Sequence, residues 1–521
     1  MLQLPDHFNV ATYVVDRNVL EGRGDRIAIE CGERKITYAE LLQQTNRAGN
    51  VLLKLGVRRK ERVLILLQDV PEFLYCFFGA IKIGAVAVPI STFLRPPDYQ
   101  YIVKDAEARV TIIGEAFVEN IGLASGELRG SANQLIVVGR ALQGCIDFDE
   151  VEDTSSELAA ADTSKDDAAF WLYSSGSTGP PKGCVHLHHD IVFPTEYYAK
   201  AILRISENDR CYSVARLFFA YGLGNAGYFP LAAGATTILS PARPTPEVIF
   251  ADVERYRPTL FYSVPSNYAA LLAYHRKGCD FDLSSIRHAI SAGEPLPPAV
   301  FQRFKDRFGI EILDALGSTE MLHMVISNRP GEVKPGSSGK IIPGLEARIV
   351  DEKNHDVPPG EIGNLLIKCD ATCDGYWKQH ERTKISFLGP WFRTGDKYYQ
   401  DEAGYFWYAG RADDLFKVNG RWLSPTEVEA VLISHPSVQE AAVVGREDVD
   451  GLLKPAAYVV LSPDCTKLDN LDQELKGWVG ERVGWYKSPR WIEFLSDLPK
   501  TATGKLQRFK LRERQRATKA P

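Results

Sequence analysis

From Arg62 onward the chain alternates short, unbroken apolar runs with longer stretches whose apolar positions recur every three to four residues. The runs at 63–67, 110–114, 134–138, 236–239, 260–264 and 289–291 predict buried strands, and the stretches at 73–83, 246–256, 266–276 and 298–308 predict helices. Strands alternating with helices predict parallel sheets covered by helices. After about Gly336 the texture changes to short strands punctuated by Gly and Pro, at 347–351, 363–368 and 405–409, which predicts a small antiparallel unit. A second change follows Gly410, with a helix expected at 424–434 behind a Ser-Pro start, strands at 438–444 and 456–461, and a helix at 471–483. The expected fold class is α/β: a large N-terminal domain, residues 1–412, of layered α/β subdomains plus a small β-rich subdomain, then a smaller α+β C-terminal domain, residues 413–521. The Ser-, Thr- and Ala-rich stretch 155–164 is expected to be a surface loop.

Composition narrows the class. A chain of 521 residues exceeds what one core serves, and 45% apolar with 25% charged residues is the balance of a soluble globular protein. The net charge of −6 argues against nucleic acid as a partner. The nine cysteines are odd in number and scattered, as reduced thiols in a cytoplasmic protein would be. Cys369 and Cys373 lack a second ligand pair, so no zinc site is expected. Residues 1–10 do not form a secretory signal, and the apolar run 77–90 contains Lys82 and is shorter than the roughly 20 residues a bilayer needs, so no membrane partner is expected.

The segment most informative for chemistry is Phe170-Trp171-Leu172-Tyr173, a strand-like run, followed by Ser174-Ser175-Gly176-Ser177-Thr178-Gly179-Pro180-Pro181-Lys182-Gly183. A loop so rich in Gly and hydroxyls exposes backbone N–H and short O–H donors, and with one Lys it suits a polyphosphate. A flexible Ser/Gly loop is the competing reading, and the strand in front weighs against it. It is not a Walker A motif, because Pro181 precedes Lys182 and Gly183 follows it.

This loop resembles the phosphate signature of the adenylate-forming superfamily of acyl-CoA synthetases, luciferases and peptide-synthetase adenylation domains. Four more motifs of that family recur in order. Asp314-Ala315-Leu316-Gly317-Ser318-Thr319-Glu320 is similar to its adenine and metal motif, and Trp391-Phe392-Arg393-Thr394-Gly395-Asp396 to its ribose motif. The stretch from Gly410-Arg411-Ala412-Asp413 to Lys417-Val418-Asn419-Gly420 is similar to its hinge, and Pro499-Lys500-Thr501-Ala502-Thr503-Gly504-Lys505 to its terminal lysine motif. The resemblance implies that Ser174, Ser175, Gly176, Ser177, Thr178, Gly179 and Lys182 hold the ATP phosphates, with Asp314, Gly317 and Ser318 completing the nucleotide site. Glu320 would hold Mg2+, Thr319 would contact the α-phosphate, Asp396 would accept from the ribose hydroxyls with Arg411 beside it, and Lys505 would bridge the substrate carboxylate and the α-phosphate. Taken singly, Asp396 reads as a turn residue, Glu320 as a helix-start carboxylate and Lys505 as a solvated lysine.

These assignments make chemical sense. A carboxylic acid is already an anion at neutral pH, so its attack on the α-phosphorus needs no general base. Two anions must instead be brought together, which calls for fixed N–H donors, Lys and Mg2+.

A clue to the acid follows. Gly222-Leu223-Gly224-Asn225-Ala226-Gly227 satisfies the dinucleotide pattern Gly-x-Gly-x-x-Gly, but Pro241-Ala242-Arg243-Pro244 stands where that fingerprint needs an acidic residue. The longer stretch Arg216-Leu217-Phe218-Phe219-Ala220-Tyr221-Gly222-Leu223-Gly224-Asn225 instead resembles the acyl-pocket segment of benzoate-type CoA ligases. Ser291-Ala292-Gly293-Glu294 and Glu320-Met321-Leu322-His323 are similar to the same benzoate and hydroxybenzoate branch. A flat ring needs a slot with close backbone approach and rigid apolar edges, and Phe219, Ala220, Tyr221, Gly222, Gly293, Gly317 and His323 are the expected substrate-binding residues. Outside the family, His323 reads as an ordinary helix histidine. Arg216 stands where Lys is expected, and Cys184 and Cys211 replace expected Val or Ser, departures that bear on ring substituents. His186, His188 and His189 lack the partners of a zinc site and are assigned no chemistry.

The resemblance thus implies an ATP-dependent aryl-acid:CoA ligase that converts benzoate or a substituted benzoate to an aryl-AMP and then to a thioester, using ATP, Mg2+ and coenzyme A. The C-terminal domain would rotate about Asp413 between the steps, bringing Lys417 and Gly420 to the pantetheine tunnel. A carrier protein is the rival acceptor, and that no carrier domain follows Pro521 favours CoA. A nucleotide-binding oxidoreductase using the Gly222 loop is the rival from another class, and a catalytically silent binding protein is a third. A homodimer and a lysine acetyltransferase acting on Lys505 are the remaining partner expectations.

Overall fold

The computed structural model describes residues 2–119, 134–140, 144–148, 153–174, 181–274, 281–411, 414–418, 421–448, 451–463, 465, 469–500 and 506–517. Within these, the alternating runs form two large sheets. A nine-stranded sheet has the order Lys340–Ile341, Met324–Ser327, Ile312–Gly317, His288–Ser291, Leu260–Ser263, Arg210–Ser213, Thr236–Ile238, Ile27–Cys31 and Arg34–Thr37. Its strands from Ile312–Gly317 through Ile27–Cys31 run parallel. An eight-stranded sheet runs from Gly375–Tyr376 through Lys182–Leu187, Ala168–Ser174, Val86–Pro89, Arg62–Leu66, Val110–Gly114 and Gln134–Val138 to Ile146–Asp147. Parallel strands need covered faces, which is why these segments lack polar alternation.

The apolar run 77–90 is divided between the end of the helix Pro71–Lys82, buried along nearly its whole length, and the strand Val86–Pro89. Lys82 Nζ is satisfied inside the protein by Asp16 Oδ1 at 2.5 Å and Asn46 Oδ1 at 2.7 Å. No helix among the described residues is long and apolar enough to cross a membrane. The loop 155–164 is strapped down rather than free: Asn46 and Asn50 amides donate to the Ser156 and Ser155 carbonyls at 2.8 Å, and Leu158 packs on the main core. Composition marks a loop but not such anchors. The expected helix 266–276 begins one residue earlier, at Pro265, and ends at Ala273.

The β-rich unit is an antiparallel sheet of Glu346–Val350, Gly363–Lys368, Trp391–Gln400, Phe387–Leu388 and Phe406–Arg411. The C-terminal domain has its own core, including Leu432, Val443, Val459 and Leu475, where helices Pro425–Ile433 and Leu471–Val483 meet the sheet of Val438–Glu447, Leu453–Leu461 and Trp491–Phe494. Ser424 caps the first of these helices, accepting from the Glu427 N–H at 3.4 Å. The expected boundary, Ala412 and Asp413, lies outside the described residues.

Candidate active site

The phosphate-loop sequence joins two antiparallel strands. Ser174 ends Ala168–Ser174 and pairs with Lys182, the first residue of Lys182–Leu187. The chain therefore leaves this loop as a strand, whereas a Walker loop opens into a helix. Ser175, Gly176, Ser177, Thr178 and Gly179 lie outside the described residues, as do Asp413, Gly420 and Lys505. Lys417 is placed by its backbone in the strand Phe416–Val418, paired with Arg421–Leu423.

Lys182 Nζ lies 3.3 Å from Glu320 Oε1 and 3.3 Å from the Tyr376 hydroxyl, and sits 4.3 Å from the centre of the Tyr376 ring. The Tyr376 hydroxyl also donates to Glu320 Oε1 at 3.0 Å. Burial alone would raise the Glu320 carboxyl, but the Lys182 ammonium, its own backbone N–H and the Tyr376 hydroxyl bring it below the ordinary value. Glu320 is thus an ionised oxygen donor. No group of three or more His, Cys, Asp or Glu side chains able to hold a metal occurs among the described residues. One carboxylate fits Mg2+, a hard cation commonly held by one or two carboxylates together with substrate phosphates.

Asp396 and Arg411 face each other across neighbouring strands, with Arg411 Nη1 donating to Asp396 Oδ1 at 3.1 Å. Asp396 is the main cause holding the guanidinium firmly protonated, and Glu320 adds to it. The ribose and metal candidates therefore act on one shared cation. Thr319, half-buried beside Glu320, has its carbonyl fixed from outside the motif: the fully buried His186 donates to it from Nε2 at 2.8 Å. That contact was not read from the sequence, where His186 carried no chemistry.

Asp314 is a buried strand residue whose Oδ2 accepts from the Leu296 N–H at 3.2 Å. Burial pushes its carboxyl up to about 8, so it anchors the 292–296 turn as a neutral acid near neutral pH. Gly317 packs against the His323 carbonyl, and the Ser318 hydroxyl is buried without a partner among the described residues.

The expected acyl pocket gathers at the carboxyl ends of the parallel strands, where open α/β sheets bind ligands. Tyr221 donates to the Ser263 carbonyl or the Ile290 carbonyl, both at 3.2 Å, and Gly293 follows the neighbouring strand at φ +91°. Phe219 leads into the short helix Ala220–Gly222 with its ring against Phe218 at 4.6 Å. His323 is almost fully buried among Phe229, Tyr198 and Tyr221, with ring-centre distances of 4.3, 5.7 and 5.8 Å, and its Nε2 donates to Asn225 Oδ1 at 3.1 Å. Burial lowers its pKa to about 3, so the imidazole is neutral.

The glycines of the dinucleotide-like pattern lie in a buried helical segment, Ala220–Tyr228, and not in a strand-to-helix turn. A Cβ on Gly224 would fall 2.3 Å from His323 Cδ2, and one on Gly222 would fall 2.0 Å from the Arg216 carbonyl oxygen. Gly224 makes room for the pocket histidine, and Gly222 serves packing of the chain on itself. This removes the structural basis of the oxidoreductase alternative. Arg216 also turns inward, donating to the Ser240 and Ala242 carbonyls and pairing with Asp69 at 3.5 Å. Cys184 and Cys211 are both buried.

The comparisons agree with this geometry. A family model described as AMP-binding enzyme matches residues 16–377, and one described as AMP-binding enzyme C-terminal domain matches 427–505. The benzoate–CoA ligase of Thauera aromatica is 44% identical over 98% of this chain and 97% of its own length. A crystal structure of an anthranilate CoA ligase in complex with anthranoyl-AMP superposes with a TM-score of 0.94 at 40% identity, covering 99% of this chain and 98% of that one. A benzoate CoA ligase from Burkholderia xenovorans LB400 gives a TM-score of 0.89 at 44% identity, covering 97% of this chain and 100% of that one.

Proposed function

This chain belongs to the AMP-binding enzyme family, and we propose that its site activates benzoate or a substituted benzoate as an aryl-AMP and passes the acyl group to coenzyme A. It is an AMP-forming acid–CoA ligase using ATP, Mg2+ and CoA. The observation that carries the reading is that the Lys182–Glu320 pair and the Asp396–Arg411 pair are near enough for Glu320 to act on Arg411, and that three residues after Glu320 His323 enters an aromatic nest with Tyr221.

In the first step a carboxylate oxygen attacks the α-phosphorus and pyrophosphate leaves, with no proton to move. Lys182 and the loop 175–179 meet the phosphates, Thr319 contacts the α-phosphate, and Asp396 accepts from the ribose hydroxyls. When bound, Mg2+ supplies positive charge to the triphosphate, and Glu320 is the residue that would hold it. Lys505 bridges the two reacting anions. The ring lies against Ala220 and Tyr221, with neutral His323 beside it adding no cation to an apolar slot.

In the second step the CoA sulfur forms a bond to the acyl carbon, AMP leaves, and the thiol proton passes to solvent. We place the domain boundary at 412/413 and the hinge at Asp413. Arg411 is tied to Asp396, whereas Asp414 accepts from Arg512 at 2.8 Å and pairs with Arg508 at 3.5 Å, which supports a crossing between 411 and 414. Lys417 and Gly420 then line the pantetheine path. Acetylation of Lys505 would remove the bridging charge, and a cytoplasmic homodimer is the proposed setting. Exchange of labelled pyrophosphate into ATP and AMP release with CoA, measured across benzoate, hydroxybenzoates, aminobenzoates and medium-chain fatty acids, test the reading. It fails if no ring carboxylate supports exchange.

A further inference from the structure

One face of the strand Lys182–Leu187 carries Lys182, Cys184 and His186 at alternate positions, which places them side by side toward the turn after Gly317. Lys182 reaches the Glu320 carboxylate and His186 reaches the Thr319 carbonyl. That turn is strained: Leu322, a non-glycine residue, sits at φ +63° between Thr319–Glu320 and His323. Strain of this kind persists only where the surroundings over-determine it. The Thr319 carbonyl accepts from both the Leu322 N–H at 3.2 Å and His186 Nε2 at 2.8 Å. His186 is itself fixed on every side. Its Nδ1 lies 2.7 Å from Oδ2 of the fully buried Asp190, which also accepts from the Leu187 N–H at 3.1 Å, and the Phe170 ring stacks on the imidazole at 5.0 Å and 16°.

We propose that His186, braced by Asp190, is a positioning residue that holds the Thr319–His323 turn, and so sets the phosphate contact, the metal carboxylate and the pocket histidine together. The inference rests on the ligase reading given above. A carbonyl only accepts, so Nε2 must carry a proton for the brace to exist.

Two substitutions separate positioning from bulk. His186→Gln keeps an N–H near the position of Nε2, and His186→Met fills similar volume without one; both lose the ring stacked on Phe170. The Met variant is expected to lose about 30-fold or more in kcat for pyrophosphate exchange, and the Gln variant to recover to within about fivefold of the native protein. A merely architectural histidine would leave both variants equally impaired, and that result overturns the proposal, as does a native kcat in the Met variant. Failure of the native protein to exchange with any aromatic acid would instead sink the ligase reading, so the two failures are distinct. Histidine-selective 15N spectra of the native protein give a readout that needs no active variant: Nε2 of His186 is expected to carry a proton shielded from exchange, and a bare Nε2 overturns the brace.

Discussion

Gly224→Ala is the most direct test of the pocket geometry. The added methyl would sit 2.3 Å from His323 Cδ2 and 2.6 Å from its Nε2. Carbon contacts settle near about 3.5–4.0 Å, so the imidazole must retreat by about 1 Å or more. It has nowhere cheap to go: Phe229 lies 4.3 Å away centre to centre, and retreat breaks the 3.1 Å bond to Asn225. Overpacking a filled core costs about 1–3 kcal/mol, and stranding a buried amide oxygen adds about 1–3 kcal/mol. If half of that total falls on the aryl site, kcat/KM for the aromatic acid drops about five- to hundredfold, since about 1.4 kcal/mol is tenfold. KM for ATP should stay within about threefold of native, because the overlap does not involve Lys182 or Asp396. Gly227 in the same motif is the control, for a methyl there meets nothing nearer than 3.5 Å. Steady-state kinetics and melting curves of both variants decide the matter. Equal damage in the two, or native kcat/KM in Gly224→Ala, would refute the claim that this glycine exists to admit His323.

Other tests address charge and motion. Lys505→Ala should lose aryl-AMP formation by several orders of magnitude yet react supplied aryl-AMP with CoA almost normally; rapid-quench assays of each half-reaction check this, and equal loss in both counts against a one-step role. Asp413→Pro should slow thioester formation more than adenylation, and a native thioester rate would remove the hinge. Asp314, at an ordinary 3.8 when unfolded and about 8 when buried, contributes stability that is complete below about pH 3.8 and is lost as pH rises toward about 8, by about 1.4 kcal/mol per pH unit. Asp314→Asn should therefore gain on the native protein in melting temperature from about pH 6 to about pH 8, and a difference that ignores pH would show the carboxyl is not held protonated.

What could be read in the sequence was what lies in contiguous patterns. The strands at 110–114 and 134–138 and the helices at 246–256, 298–308 and 471–483 match their apolar spacing, because burial of one face dictates that spacing. Lys182, Glu320 and Asp396 could be named as candidates because motifs bring their residue types together in order. Direction was not legible. Asp314 belongs to the nucleotide motif, yet its carboxylate turns to the Leu296 N–H, and Arg216 turns to Ser240 and Ala242. Clearance was not legible either, since the reason for Gly224 is a ring nearly a hundred residues away. His186 left a faint trace, as the second alternate position after Lys182, but only the fold makes that segment a strand and puts Thr319 opposite.

The described charges of the site explain how its carboxylates can be buried before substrates arrive. Lys182 is paired with Glu320 and Arg411 with Asp396, so the buried carboxylates Glu320 and Asp396 each keep a cation as partner. On the proposed reading, substrate binding would exchange partners: a triphosphate would draw on Lys182, Glu320 would hold the Mg2+, and the ribose hydroxyls would donate to Asp396. The 3.3 Å Lys182–Glu320 contact is longer than a close charge-assisted bond of about 2.7–2.9 Å. Preorganisation here consists of fixing the backbone that carries these side chains, through His186 and Asp190, while leaving the side-chain pairs free to trade.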